Sequence, residues 1–319
     1  MGKYVIGIDI GGTNIKTGVL KKSGEIIKSY SIKTNASKGA DDVLTRIKKH
    51  IDEIIKENDI DKKDVIGVGM GIPGPVNTDT GIVNFCPNMK GWENYPAAEK
   101  LEDMTGFKVK VGNDVNVITL GEVWLGAAQG YKNVIGITLG TGIGGGMVIN
   151  GHLVSGVSGA AGEVGHMKVE HSGKLCGCGQ YGCWEAYASA TGLEREAKSR
   201  LAVCHNTTIW EKIDKDISKL EAKHIFDAAK EGDNFAMSLV DYEIKYVAMG
   251  LANILNLLNP ELVVIGGGVS LAGDILFDNL KEKLKEETLK VALDAVKIVP
   301  AELGNNAGVV GAAALLMKL

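Results

Sequence analysis

Apolar residues fall along this chain in two rhythms, short unbroken runs and helical stripes, and glycine closes most of the runs. Residues 3–10, KYVIGIDI, form a β-branched run that does not alternate, which predicts a buried strand ending at Gly11-Gly12. IKTGVL (15–20) and EIIKSYSI (25–32) read as the next two strands, joined by the turn Ser23-Gly24. Over 40–58 the spacing becomes helical, with Val43, Ile47, Ile51, Ile54 and Ile55 on one face. A buried strand over 64–71 ends in a Gly-Ile-Pro-Gly-Pro turn. A further strand over 107–112 leads into an apolar helix over 115–128.

The opening pattern then returns. Val134-Ile-Gly-Ile-Thr-Leu-Gly-Thr-Gly142 echoes Val5-Ile-Gly-Ile-Asp-Ile-Gly-Gly-Thr13, and Asn150-Gly151-His-Leu-Val154 echoes Ser23-Gly24-Glu-Ile-Ile27. Two strand–turn–strand–turn–strand units, about 130 residues apart, predict a duplicated α/β domain. Beyond them the spacing predicts helices over 183–203, 220–231 and 233–257. A strand over 262–265, a helix over 272–287, a strand over 296–300 and a small-residue helix over 306–319 complete the chain.

Composition narrows the class. A length of 319 residues suits two domains. A net charge of −4 provides no basic surface for nucleic acid. Glycine, 43 residues, is about twice its usual share, which points to tight turns or close approach of backbone to a ligand. The opening MGKYVIGIDIGG lacks a signal layout. The most apolar span, 246–269, is interrupted by Asn253, Asn256, Asn259, Pro260 and Glu261, so no membrane span is expected and the protein is read as cytoplasmic. Five cysteines, three of them in a metal-like spacing, argue against a disulfide framework and leave Cys86 and Cys204 as plain thiols. His50, His152, His205 and His224 are expected on solvated faces.

The densest chemistry lies between Gly159 and Glu185. Cys176-x-Cys178-x4-Cys183 follows His166 by ten residues, and three thiolates with one imidazole make a closed tetrahedral zinc set. Gly177, Gly179 and Gly182 let so short a loop wrap one ion. His171 is nearer the cysteines and is the rival fourth ligand. The loop could be a structural staple alone, but Glu163 and Glu185 flank it and read as groups that grip a substrate.

Glycine turns supply the other candidates. In Asp9-Ile-Gly11-Gly12-Thr13-Asn14 the bare glycines let backbone N–H groups approach a polyphosphate, Thr13 and Asn14 add donors, and Asp9 suits Mg²⁺. An ordinary hairpin turn is the plain alternative. Gly140-Thr141-Gly142-Ile-Gly144-Gly145 fits the dinucleotide pattern GxGxxG, but a second strand follows where that pattern needs a helix, so it reads as a second phosphate turn. Gly266-Gly267-Gly268 lies between a strand and a helix and suits either a nucleotide at a helix N-terminus or close helix–strand packing. No GxxxxGK[ST] sequence occurs. Asn113-Asp114 ends a strand and caps the helix after it, which is reason enough for both residue types.

Glu163-Val-Gly-His166 followed by Cys-Gly-Cys-Gly-Gln-Tyr-Gly-Cys-Trp-Glu185 resembles the ExGH and CxCGxxGCxE signature of the ROK family of bacterial sugar kinases and repressors. The pattern is complete, and the likeness, nearest to the family's glucokinases, extends over essentially the whole chain. It implies an α/β, two-lobed actin-like ATPase (hexokinase and ribonuclease H-like) fold with duplicated mixed sheets and an active site in the cleft between lobes. The small lobe would be 1–112 with a returning C-terminal helix over 305–319, and the large lobe 113–304 would carry the zinc loop and nucleotide contacts. The implied reaction is phosphoryl transfer from ATP with Mg²⁺ to the 6-hydroxyl of a hexose, glucose first, with one structural Zn²⁺. By resemblance Asp114 is the catalytic base, and Gly74, Asn113, Glu163, His166 and Glu185 contact sugar. Phosphates would meet Asp9 to Asn14 and Gly140 to Gly145, with Gly266 to Gly268 near the nucleotide. His166 would ligate zinc and donate to the sugar through its other ring nitrogen.

The family's other activities set the alternatives. Kinases for fructose, mannose, N-acetylglucosamine and N-acetylmannosamine share these motifs, and polyphosphate could replace ATP. Repressors of the family carry a helix-turn-helix domain ahead of the kinase-like part; here the first strand begins by residue 3. A zinc hydrolase using Glu163 or Glu185 would need an open coordination position, which a Cys₃His set lacks. A homodimer or homotetramer follows from the family, with no nucleic-acid or membrane partner.

Overall fold

The repeat seen in the sequence is a repeat of sheet topology. In the computed structural model, which describes residues 2–87 and 89–317, the chain opens β1 (Tyr4–Ile10), β2 (Asn14–Lys21), β3 (Ile26–Lys33), α1 (Ala40–Glu57) and β4 (Val65–Ile72). Short strands β5 (Val76–Asn77), β6 (Ile82–Val83) and β7 (Tyr95–Pro96) precede α2 (Ala97–Thr105), β8 (Val109–Asn113) and α3 (Asp114–Leu125). The second hairpin unit is β9 (Val134–Leu139), β10 (Ile143–Ile149) and β11 (His152–Leu153). After it come α4 (Glu185–Ala188), α5 (Ala190–Leu201), α6 (Ile209–Lys212), α7 (Ala222–Lys230) and α8 (Asn234–Leu258). The chain finishes with β12 (Leu262–Gly266), α9 (Asp274–Glu287), α10 (Lys290–Ala295), β13 (Lys297–Pro300) and α11 (Ala307–Ala314). The two large sheets have the orders β3-β2-β1-β4-β8 and β11-β10-β9-β12-β13, the same arrangement position for position. In the first, β1 runs antiparallel to β2 and parallel to β4, so the sheet is mixed as the duplication implied.

Alternation along β1 explains both faces of the first sheet. Ile6, Ile8 and Ile10 point into a core with Val43, Ile47, Ile51 and Ile54 of α1. Val5 packs on the other face with Leu20, Val309, Val310 and Ala313, which places α11 there. Directly under that helix, Gly18, Gly7 and Gly69 pair across three neighbouring strands. A Cβ at Gly7 would stand 2.0 Å from the Val309 carbonyl oxygen, and one at Gly69 would stand 1.7 Å from that of Ala312. The glycine row is therefore a seat for helix backbone.

The chain divides into two compact units, Met1–Gly136 with Gly146–Gly162 and Ala301–Leu319, and Ile137–Gly145 with Glu163–Pro300. The division does not fall at 112, as the lobe assignment had it, because α3 packs with α11 in the first unit. Gly311 leaves room for the Val117 carbonyl oxygen, 1.6 Å from where its Cβ would be.

Several other expectations change. The helix over 183–203 breaks at Ser189, whose extended backbone and side chain, accepting from the Gly192 N–H, cap α5. The last helix ends at Ala314, and residues 318 and 319 of the predicted span lie outside the described residues. His50 is buried, not solvated: it sits among the isoleucines of α1, edge-on to Tyr30 with centroids 5.6 Å apart. Among the described residues no helix is long and apolar enough to cross a membrane.

Candidate active site

In the first unit the carboxylates of Asp9 and Asp114 share one electrostatic environment. Asp9 stands near the end of β1, just before a turn closed by a hydrogen bond from the Gly11 N–H to the Asn14 carbonyl (3.0 Å) and one from the Thr34 hydroxyl to the Gly11 carbonyl (2.6 Å). Gly12, Thr13 and Asn14 are left exposed. Removal from water, and then the charge of Asp114, push the Asp9 carboxyl up to about 6, against the pull of Lys16. The first turn of α11 touches the same carboxylate, since a Cβ at Gly308 would lie 2.5 Å from it.

Asp114 is the first residue of α3, where a carboxylate meets the positive end of the helix dipole. Its carboxylate accepts from the Val115 N–H at 2.9 Å. Desolvation raises its pKa, opposed by that bond and by the Asn113 side chain. Asn113 is the N-cap, as its residue type suggested: its oxygen accepts from the N–H groups of Val115 (2.9 Å) and Asn116 (3.1 Å). Its amide also donates to the Gly74 carbonyl (3.2 Å), which ties the helix start to the proline-bounded loop. Gly74 has φ 96° and lies where a Cβ would be 2.3 Å from the Phe85 carbonyl oxygen. The next residue, Cys86, is a free, buried thiol, as expected: burial first, then the charge of Asp114, pushes it up to about 12 and keeps it protonated.

In the second unit His166, Cys176, Cys178 and Cys183 converge, their donor atoms all within 4.8 Å of one another. The donor set can be tested against zinc. Tetrahedral Zn–S bonds of about 2.3 Å put two sulfurs about 3.8 Å apart. The Cys178 and Cys183 sulfurs lie 3.7 Å apart, and His166 Nδ1 lies 3.8 Å from the Cys176 sulfur. The residues fit the ion. His171, the rival ligand, is outside this group and pairs with the Ser172 hydroxyl at 3.0 Å. With Nδ1 turned to the cysteines, His166 Nε2 faces Glu163 at 3.9 Å. The Lys168 ammonium donates to the Cys183 sulfur (3.2 Å), a cation against the excess negative charge of three thiolates.

Glu185 reaches both the second glycine turn and the metal loop. One carboxylate oxygen accepts from the Ile143 N–H (3.0 Å) and the other lies 3.6 Å from the Cys176 sulfur. The turn it reaches is shorter than the sequence motif. Gly140 to Gly142 make the bend, with the Gly140 N–H donating to the Gly142 carbonyl (3.0 Å), whereas Gly144 and Gly145 belong to β10. Thr141 is exposed at its tip. A strand follows, so the dinucleotide reading fails as anticipated. Gly266 ends β12, and Gly267 and Gly268 are exposed after it. Their helix does not start at once: a 3-10 turn over Gly268–Ala272 intervenes before α9, because Gly267 at φ 89° turns the chain past the Leu139 carbonyl.

Thus Asp9, Gly74, Asn113 and Asp114 belong to the first unit, and Gly140 to Gly145, Glu163, His166, Glu185 and Gly266 to Gly268 to the second. Sequence reasoning missed Gly308 and Lys168. Only Lys168 carried a signal, as a cation two residues after the ligand histidine.

A family model described as the ROK family matches residues 5–318. A glucokinase of Thermotoga maritima is 39% identical over 98% of this chain and 97% of its own length. A glucokinase of Halalkalibacterium halodurans is 42% identical over 97% and 93%. Among solved structures, a ROK family glucokinase from Streptomyces griseus in complex with glucose and AMPPNP matches with a TM-score of 0.81 at 36% identity, covering 98% of each chain.

Proposed function

Since the chain belongs to the ROK family, with that family's actin-like α/β fold, we propose that it is a hexose kinase that transfers the γ-phosphoryl of ATP to the 6-hydroxyl of glucose. One observation carries the site assignment: a desolvated carboxylate, Asp114, is fixed at the first position of α3, with its capping neighbour Asn113 fastened to the Gly74 loop. Asp114 accepts the proton of the sugar 6-hydroxyl while that oxygen bonds to the γ-phosphorus and the bond to the bridging oxygen breaks, releasing ADP. In a loose phosphoryl-transfer transition state the proton leaves late, so position counts for more than basicity. Asp9 holds Mg²⁺ directly or through water, and the exposed turns at Gly11–Asn14 and Gly140–Gly142 offer N–H donors to phosphate.

Glu163 and His166 present an acceptor and a ring N–H to sugar hydroxyls. His166, Cys176, Cys178 and Cys183 hold a structural Zn²⁺, which fixes the His166 tautomer so that Nε2 keeps its proton. Four protein donors would close the coordination of a bound ion, whose contribution would then be to folding and orientation. The likeness to glucokinases favours glucose over the sugars taken by other kinases of the family.

The test is ADP release with ATP and Mg²⁺ across glucose, fructose, mannose, N-acetylglucosamine and N-acetylmannosamine. The highest kcat/KM is expected with glucose. A preference for an N-acetyl sugar would overturn the substrate assignment, and silence on every sugar would overturn the kinase assignment.

A further inference from the structure

The metal loop and the second glycine turn are fastened together by three contacts, all inside the second unit. Glu185 lies two residues beyond Cys183, and its carboxylate accepts from the Ile143 N–H at 3.0 Å. A Cβ at Gly142 would stand 2.1 Å from the same carboxylate oxygen, so the turn closes on Glu185 only because that position is glycine. Gly165, which precedes His166, packs so closely that its Cβ would be 2.2 Å from the Ile143 carbonyl oxygen. The Ala190 N–H, just past α4, donates to the Gly140 carbonyl at 2.8 Å. The turn is thereby gripped from the segments on either side of the metal-binding cluster.

Glycine-rich backbone left to itself samples many conformations, and a phosphate that binds it must supply the cost of ordering. A turn already held presents its N–H groups at lower cost. Glu185 is the one side chain in this set that meets both sides, with one oxygen on the turn and the other 3.6 Å from the Cys176 sulfur. We propose that Glu185 is a positioning residue for the phosphate turn, and that through it occupancy of the metal loop raises affinity for the nucleotide as well as for sugar. The proposal rests on the hexose-kinase reading and adds to it a coupling between metal and nucleotide. By linkage the coupling is reciprocal: bound nucleotide tightens the loop around its ion.

The experiment separates this role from a sugar contact by leaving sugar out. Calorimetric titration of sugar-free, zinc-loaded protein with AMPPNP and Mg²⁺ would compare wild type, Glu185→Ala and Glu185→Gln. Release of zinc to a chromogenic chelator would be followed with and without AMPPNP. Positioning groups around a metal site typically change metal affinity or activity by about 10- to 100-fold. Glu185→Ala is expected to weaken AMPPNP about tenfold, while Glu185→Gln, whose amide oxygen still accepts from the Ile143 N–H, stays within about threefold of wild type. AMPPNP is expected to slow zinc release from wild type and to lose that effect in Glu185→Ala. Unchanged AMPPNP affinity in Glu185→Ala, with weakened glucose binding, would make Glu185 a sugar contact alone and overturn the proposal. Wild type that binds glucose but no AMPPNP would overturn the kinase reading itself.

Discussion

Gly69→Ala is a one-carbon change with a calculable consequence. The new Cβ would lie 1.7 Å from the carbonyl oxygen of Ala312, 2.5 Å from its carbon and 3.2 Å from the Ala313 nitrogen. Real Cβ contacts stay beyond 3.0 Å, so strand and helix must separate by about 1.3 Å, and the obstacle is helix backbone, which has no rotamer to change. Overpacking of this kind costs about 1–3 kcal/mol, and a backbone obstacle belongs at the upper end. For a unit of this size about 2–3 kcal/mol corresponds to a fall in Tm of roughly 4–12 °C. Because α11 carries Gly308 against Asp9, a retreating helix should also loosen Asp9 and raise KM for Mg²⁺-ATP more than KM for glucose. Calorimetric melting and steady-state kinetics on the same preparation test both parts. A melting point within about 1 °C of wild type would refute the argument that the glycine row is a helix seat, since alanine would otherwise suit a strand better than glycine.

Two further outcomes follow from buried carboxyl groups. Glu243 on α8 is fully buried, and neither carboxylate oxygen has a partner. Burial raises its pKa well above the ordinary value of 4.5 and so favours the protonated form in the native protein, while the unfolded chain releases that proton above about 4.5. Its contribution to stability therefore declines as pH rises from there, by up to about 1.4 kcal/mol per pH unit until the native group itself ionises. Urea unfolding at a series of pH values above about 4.5 should show wild type losing stability faster with rising pH than Glu243→Gln; parallel pH trends would contradict it. Asp9, raised from 3.8 to about 6, must be ionised to hold Mg²⁺. The kcat/KM for Mg²⁺-ATP should accordingly fall up to tenfold per pH unit below about 6, and an acid limb first appearing near pH 4 would refute the shift. The same shift works against folding as pH rises from 3.8 to about 6, a cost fully present above that range.

Much of this was legible in one chain because glycine and β-branched residues punctuate it so sharply. The runs at Tyr4–Ile10 and Val134–Leu139, each ending in a glycine turn, announced both sheets and the duplication between them, though not the strand order. The isoleucine stripe placed α1, and the cysteine spacing brought out the metal cluster with His166 in it. What remained hidden depends on packing between segments distant in sequence. No local pattern says that Gly7, Gly18 and Gly69 make one row, because that needs the register of three strands. The clamp from Glu185 to Ile143 spans 42 residues, and a motif can name the glutamate without revealing what it holds. His50 was misplaced because a polar residue type was weighed above its position on the apolar stripe of α1. The 3-10 turn after Gly268 is another such case, since strand–glycine–helix spacing cannot tell one intervening turn from none.

The most direct test of the central claim is glucose-dependent ADP release by Asp114→Asn, with glucose affinity measured on the same protein. Asparagine keeps the shape and loses the ability to take a proton. If Asp114 is the base, turnover should fall by about 10²–10⁴-fold, the usual contribution of a positioned general base, while glucose still binds within a few-fold of wild type. Turnover within about tenfold of wild type would contradict the assignment of Asp114 and the site built around it.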